Sequence, residues 1–187
     1  MPGTRTDYGQ VYDHTLNARK GWALGLDLPL EKALPIASGL SNRVYRGRVV
    51  HIDSNTYKLG VNNANSTSRC RIPAFAFANE NDPDVNPNLG NISGGVLNAL
   101  LAIGTFELES TEFDANGTYD CGSYLTSDDG SGSSGTGVIK TGALATDTIV
   151  GIISEKGEQA NGSFEGEHGQ KLIRFVTWFL PSKIQVH

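Results

Sequence analysis

The residues that could carry acid–base chemistry in this sequence are concentrated in the segment GSFEGEHGQ. Glu165, Glu167 and His168 lie close together there, and such a set can supply a general acid, a general base and a group that orients them. Carboxylates among glycines are nevertheless typical of a solvated turn. The sequence has no GxSxG nucleophile elbow, and neither Cys70 nor Cys121 lies in a recognisable nucleophile setting. We therefore predict no catalytic residues and no enzymatic activity.

Two other patterns satisfy ligand-binding motifs only in part. The segment GSGSSG, residues 130–135, has GxGxxG spacing, but a dinucleotide loop needs a strand before it and a helix after it, and a strand-like segment follows here. Residues 82–93 carry the alternating Asp and Asn of a calcium loop, with Pro87 and Ser93 where the EF-hand requires Gly and Glu. The histidines have no metal-ligand spacing; they are His14, His51, His168 and His187. We predict no metal site and no cofactor.

The composition favours a strand-rich domain. The 187 residues include 66 Gly, Ser, Thr and Asn, and only 19% are charged, against about 25% in an ordinary soluble domain. There is no run of about 18 apolar residues, and the N-terminus lacks the layout of a signal peptide, so we predict no membrane partner. Two cysteines are too few for a disulfide framework. A Cys70–Cys121 bridge is one interpretation, and two buried thiols in a reducing compartment are the favoured one.

The net charge of −5 conceals a division along the chain. Residues 1–74 carry ten Lys and Arg against five Asp and Glu, whereas residues 75–187 carry five against fifteen. A basic first part and an acidic second part favour head-to-tail packing or docking onto an oppositely charged surface. Nucleic-acid binding ranks lower, because the arginines fall at alternating strand spacings without Gly-aromatic signatures. These arginines are Arg43, Arg46, Arg48, Arg69 and Arg71.

Short strands dominate the sequence from Leu40 onward. NRVYRGRVVHID and SNTYKLGV form a predicted hairpin, RCRIPAFAFA a third strand, and TFELESTEF a strand that Asn116-Gly117 turns into TYDCGSYLT. VIKTGA, DTIVGIISEKG and KLIRFVTWFLP have the β-branched and aromatic content of strands. SGGVLNALLAIG is the one helix candidate, with Ser93 as N-cap and Gly104 as its end. We predict an all-β domain, a small β-barrel, β-tulip-like or sandwich fold, with one short helix.

The first 39 residues differ from the rest of the chain. Pro29 and Pro35 exclude a regular helix and argue against a central strand. Five apolar side chains alternate and would share one face of an extended chain: Trp22, Leu24, Leu26, Leu28 and Leu30. Two interpretations remain open, an edge strand packed on its own domain and an arm that lies on a neighbouring subunit. We predict an extended N-terminal arm over residues 1–39 and a β domain over residues 40–187.

The C-terminal strands carry a resemblance to a known family. TGALATDTIVGIISEKG followed by GQKLIRFVTWFLP resembles the closing strands of bacteriophage head decoration (capsid cement) proteins, and RVYRGRVVHID fits the same plan loosely. The resemblance implies a structural virion protein with a β-barrel or tulip-like domain, usually a homotrimer. Such a protein binds the major capsid protein on the outer surface of an icosahedral head and stabilises the head. The resemblance places it in the host cytoplasm during assembly and on the capsid exterior afterwards.

The same resemblance implies roles for the arm and for the basic residues. The N-terminal arm of such proteins reaches across capsomers, so the five alternating apolar residues from Trp22 to Leu30 would be its anchors. The basic side chains that would meet acidic capsid surface are Arg19, Lys20, Arg43, Arg46 and Arg48. Neither a cofactor nor a metal enters this function.

An alternative function is that of a virion receptor- or glycan-binding module, or of a tail component. Tyr119, Tyr124 and Trp178, together with the polar Asn- and Ser-rich loops, could stack on sugars and hydrogen-bond to them. The simpler interpretation of Trp178 is a core residue within RFVTWFL. A small barrel that binds single-stranded nucleic acid is a third hypothesis, and its binding would depend strongly on salt.

Overall fold

The structure is a computed structural model that describes residues 16–22, 31–61, 73–77, 96–101, 105–128, 134–166 and 169–180. These ranges contain strands and turns and no helix, which confirms the predicted all-β fold. The strands, in chain order, are β1 Leu16–Trp22, β2 Glu31–Pro35, β3 Val49–Asp53, β4 Thr56–Leu59, β5 Pro73–Phe77, β6 Val96–Leu101, β7 Thr105–Ser110, β8 Tyr124–Thr126, β9 Lys140–Thr141, β10 Ile149–Glu155, β11 Phe164–Glu165 and β12 Lys171–Leu180.

The strands form two antiparallel sheets that face each other as an open sandwich. The larger sheet has the order β1-β7-β12-β10-β8-β9, and β11 pairs with the start of β12. The smaller sheet has the order β2-β6-β5-β3-β4. Period-two alternation forms the inner face of the larger sheet: in β7, Phe106 and Leu108 are buried while Glu107 and Glu109 are half-buried. A shift by one residue would bury the glutamates, so burial specifies the register.

The main core lies between the two sheets. Phe75 of β5 packs against Phe175 of β12, with ring centroids 5.3 Å apart and both side chains fully buried. Other members of this core are Val49, Val61, Phe106, Leu108, Leu125, Ile139, Val150, Ile153 and Ile173. A second core lies on the opposite face of the smaller sheet, where Val50 clusters with Ile36 and Val44 from the connection before β3. Both faces of the smaller sheet are therefore buried.

The hairpin predicted around residues 53–55 is confirmed. β3 and β4 pair along their length, and Ser54 and Asn55 form the two-residue loop between them. Both residues have positive φ, 48° and 64°. A type I′ turn needs this conformation at both central positions, and its twist matches that of the two strands. The hydroxyl of Thr56 donates to Asp53 O at 2.8 Å and closes the turn.

The predicted helix SGGVLNALLAIG is wrong over its described part. Val96–Leu101 is strand β6, which pairs with β2 on one side and with β5 on the other. A short apolar run fits a turn of helix and a buried strand equally well. Backbone hydrogen bonds from two neighbouring strands decide for the strand, and Ala99 at its centre is fully buried. Within the ranges given above, no helix is long and apolar enough to cross a membrane.

The hairpin predicted at Asn116-Gly117 is also wrong. These residues form a turn, in which the N–H of Gly117 donates to Asp114 O at 3.0 Å, but the strands on either side of it do not pair. β7 pairs with β1 and β12, whereas β8 pairs with β10 and β9. The partners of β7 are distant in sequence, and a local turn signal carries no information about them.

Two strands lie within the segment predicted as the N-terminal arm. β1 is an edge strand of the larger sheet, and β2 is an edge strand of the smaller sheet. β1 pairs with β7 and contains a bulge between Ala18 and Lys20, and β2 pairs with β6 and ends on Pro35. Bulges, charges and prolines are typical of strands at an exposed edge. Residues 1–15 and 23–30 lie outside the described residues, and with them Leu24, Leu26, Leu28 and Leu30.

Candidate functional site

Arg48, one of the predicted capsid-binding residues, makes internal contacts. Its Nε donates to Glu112 Oε2 at 2.7 Å, and its Nη1 donates to the carbonyl oxygens of Thr136 at 3.0 Å and of Arg43 at 3.2 Å. The guanidinium lies 4.5 Å from the ring centroid of Tyr45. The side chain of Arg48 is 16% exposed and that of Glu112 is 7% exposed. Arg48 therefore joins three segments of the chain and presents little of its charge to a partner.

The other predicted basic residues divide between the two sheets. In the connection between β2 and β3, Arg43 is exposed and Arg46 is half-buried. Arg19 lies at the bulge of β1, and the backbone of Lys20 pairs with Glu107 of β7. Trp22 is the last residue of β1. The structure thus gathers the later arginines beside the smaller sheet and places Arg19 and Lys20 at the edge of the larger one.

Apolar side chains that are exposed or half-buried lie on the outer face of the larger sheet. Trp178 of β12 is 44% exposed, and its ring centroid lies 6.2 Å from that of Tyr124 in β8. Half-buried Ile152 and Val176 complete this aromatic patch, since Ile152 pairs with both Tyr124 and Val176. The interpretation of Trp178 as a core residue is therefore wrong. The sequence carries the signal, because alternation along β12 puts buried Phe175 and Trp178 on opposite faces.

Tyr119, the third aromatic candidate, is fully buried. Its hydroxyl donates to Asp114 O at 2.7 Å, and its ring meets Phe113 edge-on with centroids 5.2 Å apart. Burial and the nearby charge of Asp114 raise the pKa of Tyr119 well above its usual value, although the hydrogen bond to Asp114 acts in the opposite direction. Tyr119 therefore stays protonated and stabilises the turn before it, and its ring does not face a ligand.

A charged row borders the aromatic patch on the same face of the sheet. Arg174 of β12 donates from Nε to Glu109 Oε1 at 2.7 Å and from Nη1 to Glu155 Oε2 at 2.9 Å. Its guanidinium lies 4.0 Å from the ring centroid of Phe164. Burial alone would lower the pKa of Arg174, but the hydrogen bonds to the two carboxylates raise it. The row is therefore a fixed polar border that spans β7, β12 and β10.

The segment GSFEGEHGQ, singled out for acid–base chemistry, contains strand β11 and part of its connection to β12. Glu165 Oε2 accepts a hydrogen bond from Gln159 Nε2 at 3.3 Å, and the N–H of Glu165 donates to Glu158 Oε1 at 2.9 Å. This backbone donor holds the pKa of Glu158 below its usual value. Glu167 and His168 lie outside the described residues. The two carboxylates thus join the segment before β11 to that strand.

Metal-ligating and thiol groups are spread apart in the structure. In the part of the chain that is described, no group of three or more His, Cys, Asp or Glu side chains is placed to hold a metal ion. His51 is fully buried, with Nδ1 2.9 Å from Gly60 O. Cys121 is a free, exposed thiol, so its predicted burial is wrong, and Cys70 lies outside the described residues. The exposure of Cys121 follows from its place in the turn that precedes β8.

Comparisons with known proteins found no relative of this chain. The chain matches no protein-family model, no curated protein and no solved structure. Only features of the chain itself therefore bear on its function. These are the two edge strands of the N-terminal segment, the aromatic patch with its charged border, and the internal contacts of Arg48.

Proposed function

We propose that this chain is a structural protein of a bacteriophage virion that binds the outer surface of an icosahedral capsid and stabilises it. The observation that carries the proposal is the position of the N-terminal strands, since β1 and β2 both lie at sheet edges. Each of these two strands therefore joins a sheet from outside. A segment at a sheet edge can pair with or extend to a neighbouring molecule without unpacking the core.

The two-sheet body fits the same role, because internal ion pairs order it before it binds. The Arg48–Glu112 and Arg174–Glu109 pairs use polar side chains to join strands and turns. A body that is ordered before it binds loses less conformational entropy on the surface that it meets. In a homotrimer, three weak contacts raise the affinity for the major capsid protein steeply, because each contact after the first is intramolecular. No enzymatic step, cofactor or metal is part of this function.

Deleting residues 1–15 tests the proposal and keeps β1 and β2. We expect the truncated protein to retain its circular-dichroism spectrum and its melting temperature. We expect it to bind expanded empty heads, built from the major capsid protein encoded with this chain, at least about tenfold more weakly than the full-length protein. The reason is that each subunit of the homotrimer loses the contacts made by residues 1–15, and such losses multiply in a multivalent complex. Co-sedimentation measures this binding. Removing all 39 residues is unsuitable, since it would delete β1 and β2 from their sheets.

Lys140→Glu is the matched control for this deletion. Lys140 is exposed on β9, at the edge of the larger sheet opposite β1. The variant should bind heads as the unmodified protein does. Full-strength binding by the truncated protein would contradict a contribution of residues 1–15 to capsid binding. Failure of the full-length protein to bind heads would contradict the function itself.

The aromatic patch favours a second candidate function, a carbohydrate-binding module of the virion. The exposed ring of Trp178 and the half-buried ring of Tyr124 lie beside a fixed polar border. We expect Trp178→Ala to weaken glycan binding about tenfold, since a lost stacking contact is worth roughly 1.4 kcal/mol. Leu144→Ala is the control, because Leu144 is 45% exposed and is not a member of the patch. A glycan array followed by calorimetry measures this, and equal binding by both variants would rule the module out.

A further inference from the structure

A carboxylate closes the base of the loop between β8 and β9. Asp128 follows β8, and residues 129–133 lie outside the described residues. On the returning side, the backbone N–H groups of Thr136 and Gly137 both donate to the Asp128 carboxylate, the second of them to Oδ1 at 3.0 Å. The hydroxyl of Ser127 donates to the same Oδ1 at 2.9 Å. The carboxylate thus accepts hydrogen bonds from both sides of the loop.

The returning segment, residues 134–138, is also bonded to the smaller sheet. The N–H of Val49 in β3 donates to Gly137 O at 2.7 Å, and the N–H of Val61 donates to Asp128 O at 3.0 Å. Arg48 Nη1 donates to Thr136 O at 3.0 Å. The segment therefore links β8 and β9 of the larger sheet to β3 and the end of β4 in the smaller one.

Gly137 is the point at which the segment approaches β3 most closely. Its φ is +73°, and a Cβ on this residue would lie 2.6 Å from Val49 O and 2.7 Å from Leu59 Cδ2. Only glycine combines this backbone conformation with this distance. The contact with β3 is therefore short. Asn42 and Arg48 donate to carbonyl oxygens of the segment, whereas the Asp128 carboxylate accepts from its N–H groups.

We propose that Asp128 and residues 134–138 form an acid-released latch between the two sheets: protonation of the carboxyl frees the segment from β3 while the two-sheet core stays folded. A carboxylate accepts hydrogen bonds from both N–H groups, whereas a protonated carboxyl has lost the charge that strengthens them. The main core consists of apolar side chains from both sheets and does not include Asp128. Loss of the latch therefore leaves the packing of Phe75 on Phe175 in place.

The pH at which the latch opens follows from the environment of Asp128. Burial alone would raise the pKa of Asp128, but the N–H groups of Thr136 and Gly137 and the hydroxyls of Ser127 and Thr136 hold it below 3.8. The hydrogen bonds to the ionised carboxylate are accordingly all present when the pH is above the ordinary pKa range of Asp. Its stabilising contribution is lost as the pH falls below 3.8 and through the lower, folded-state value.

Other titratable groups lie on the segments packed around the latch. They are Arg43, Arg46, Arg48, His51, Glu112 and Asp114. Glu112 accepts a hydrogen bond from Arg48, and His51 Nδ1 lies near Gly60 O. A histidine titrates near pH 6.5 when it is unperturbed. Release with a midpoint in that range would therefore come from a group other than the Asp128 carboxyl, and a titration separates the two cases.

An NMR titration of the unmodified protein from pH 7 to pH 2 tests the latch. We expect the amide resonances of Thr136 and Gly137 to move with one midpoint below 3.8. Below it, exchange of the Val49 amide, corrected for its intrinsic rate, should be about tenfold faster, while the Leu108 and Phe175 amides stay protected. A Val49 amide that stays protected would contradict the proposal, and so would a simultaneous loss of protection at all amides. A midpoint near 6.5, which is typical of histidine, would also contradict it.

Asp128→Asn provides the second measurement, at pH 7. The variant should show the faster exchange of the Thr136, Gly137 and Val49 amides without any acid, by about tenfold. Asp147→Asn is the matched control, since Asp147 Oδ2 accepts the N–H of Ala143 at 2.8 Å in an exposed turn. It should leave the three amides unchanged. Equal exchange in Asp128→Asn and in the unmodified protein would show that the carboxylate does not hold the segment.

Discussion

Replacing Phe175 with alanine is expected to lower the free energy of unfolding by about 3–5 kcal/mol. The side chain is fully buried between the sheets and packs on Phe75 with ring centroids 5.3 Å apart. Its removal costs the transfer free energy of the ring and leaves a cavity between two sheets that cannot close over it. Urea unfolding followed by far-UV circular dichroism measures the change, because strands dominate the spectrum.

Val176→Ala is the matched control for Phe175→Ala. Val176 is the next residue of β12, but it is half-buried on the outer face of the sheet. We expect this substitution to cost less than about 1 kcal/mol. The face-to-face packing of the two sheets would be contradicted if Phe175→Ala and Val176→Ala lowered the free energy of unfolding equally. It would also be contradicted if Phe175→Ala lowered it by less than about 1 kcal/mol.

Arg48→Met is expected to cost about 3 kcal/mol of the free energy of unfolding, although the methionine keeps most of the apolar stem. Glu112 would lose the hydrogen bond and the opposite charge of Arg48 in a position where its side chain is only 7% exposed. Breaking a buried pair from one side is costly because it leaves an uncompensated charge. The Thr136 carbonyl would also lose the hydrogen bond that Arg48 Nη1 donates at 3.0 Å. Chemical unfolding at pH 7 measures the cost.

Two comparisons separate this effect from a general loss of charge. The double substitution Arg48→Met with Glu112→Leu should recover most of the stability, because no unpaired charge is left buried. Lys156→Met breaks the Lys156–Asp120 pair, whose atoms are 2.6 Å apart but whose side chains are 53% and 58% exposed. We expect that change to cost about 0–1 kcal/mol. A double substitution as unstable as Arg48→Met would contradict the buried-charge explanation.

Strands with one clearly buried face could be predicted from the sequence. Alternation in TFELES and KLIRFVTWFL marks β7 and β12, and the Ser54-Asn55 turn between β-branched residues marks the β3–β4 hairpin. These signals are local, since each depends on residues two apart or on a two-residue loop. Burial on the inner face then selects the register that the alternation allows.

The errors concern features that depend on distant partners. The apolar run of Val96–Leu101 fits a helix as well as a strand, and its pairing with β2 and β5 decides between them. Asn116-Gly117 indicates a turn, and a turn is present, but the strand that returns pairs with β10 and not with β7. Local sequence cannot specify such pairings, because they are selected by the packing of the whole sheet.

The candidate site shows the same division. Exposure of Trp178 follows from alternation along β12, so its place on the outer face could be predicted. The role of Arg48 could not, because its partner Glu112 is 64 residues away in the sequence. The role of Asp128 could not, because the path of the loop that returns to it at Gly137 has no signal in the sequence. The charge division along the chain likewise indicated basic surface near Arg48, whereas that guanidinium is used inside the molecule.

An image reconstruction of heads with and without this chain tests most directly whether it decorates a capsid. We predict additional density on the outer surface of the decorated heads, with the threefold symmetry of a homotrimer, into which the two-sheet body fits. The edge that carries β1 should face the adjacent capsomer, since residues 1–15 precede that strand. The proposed function would be contradicted if heads with this chain showed no such density, or if the additional density were confined to the tail.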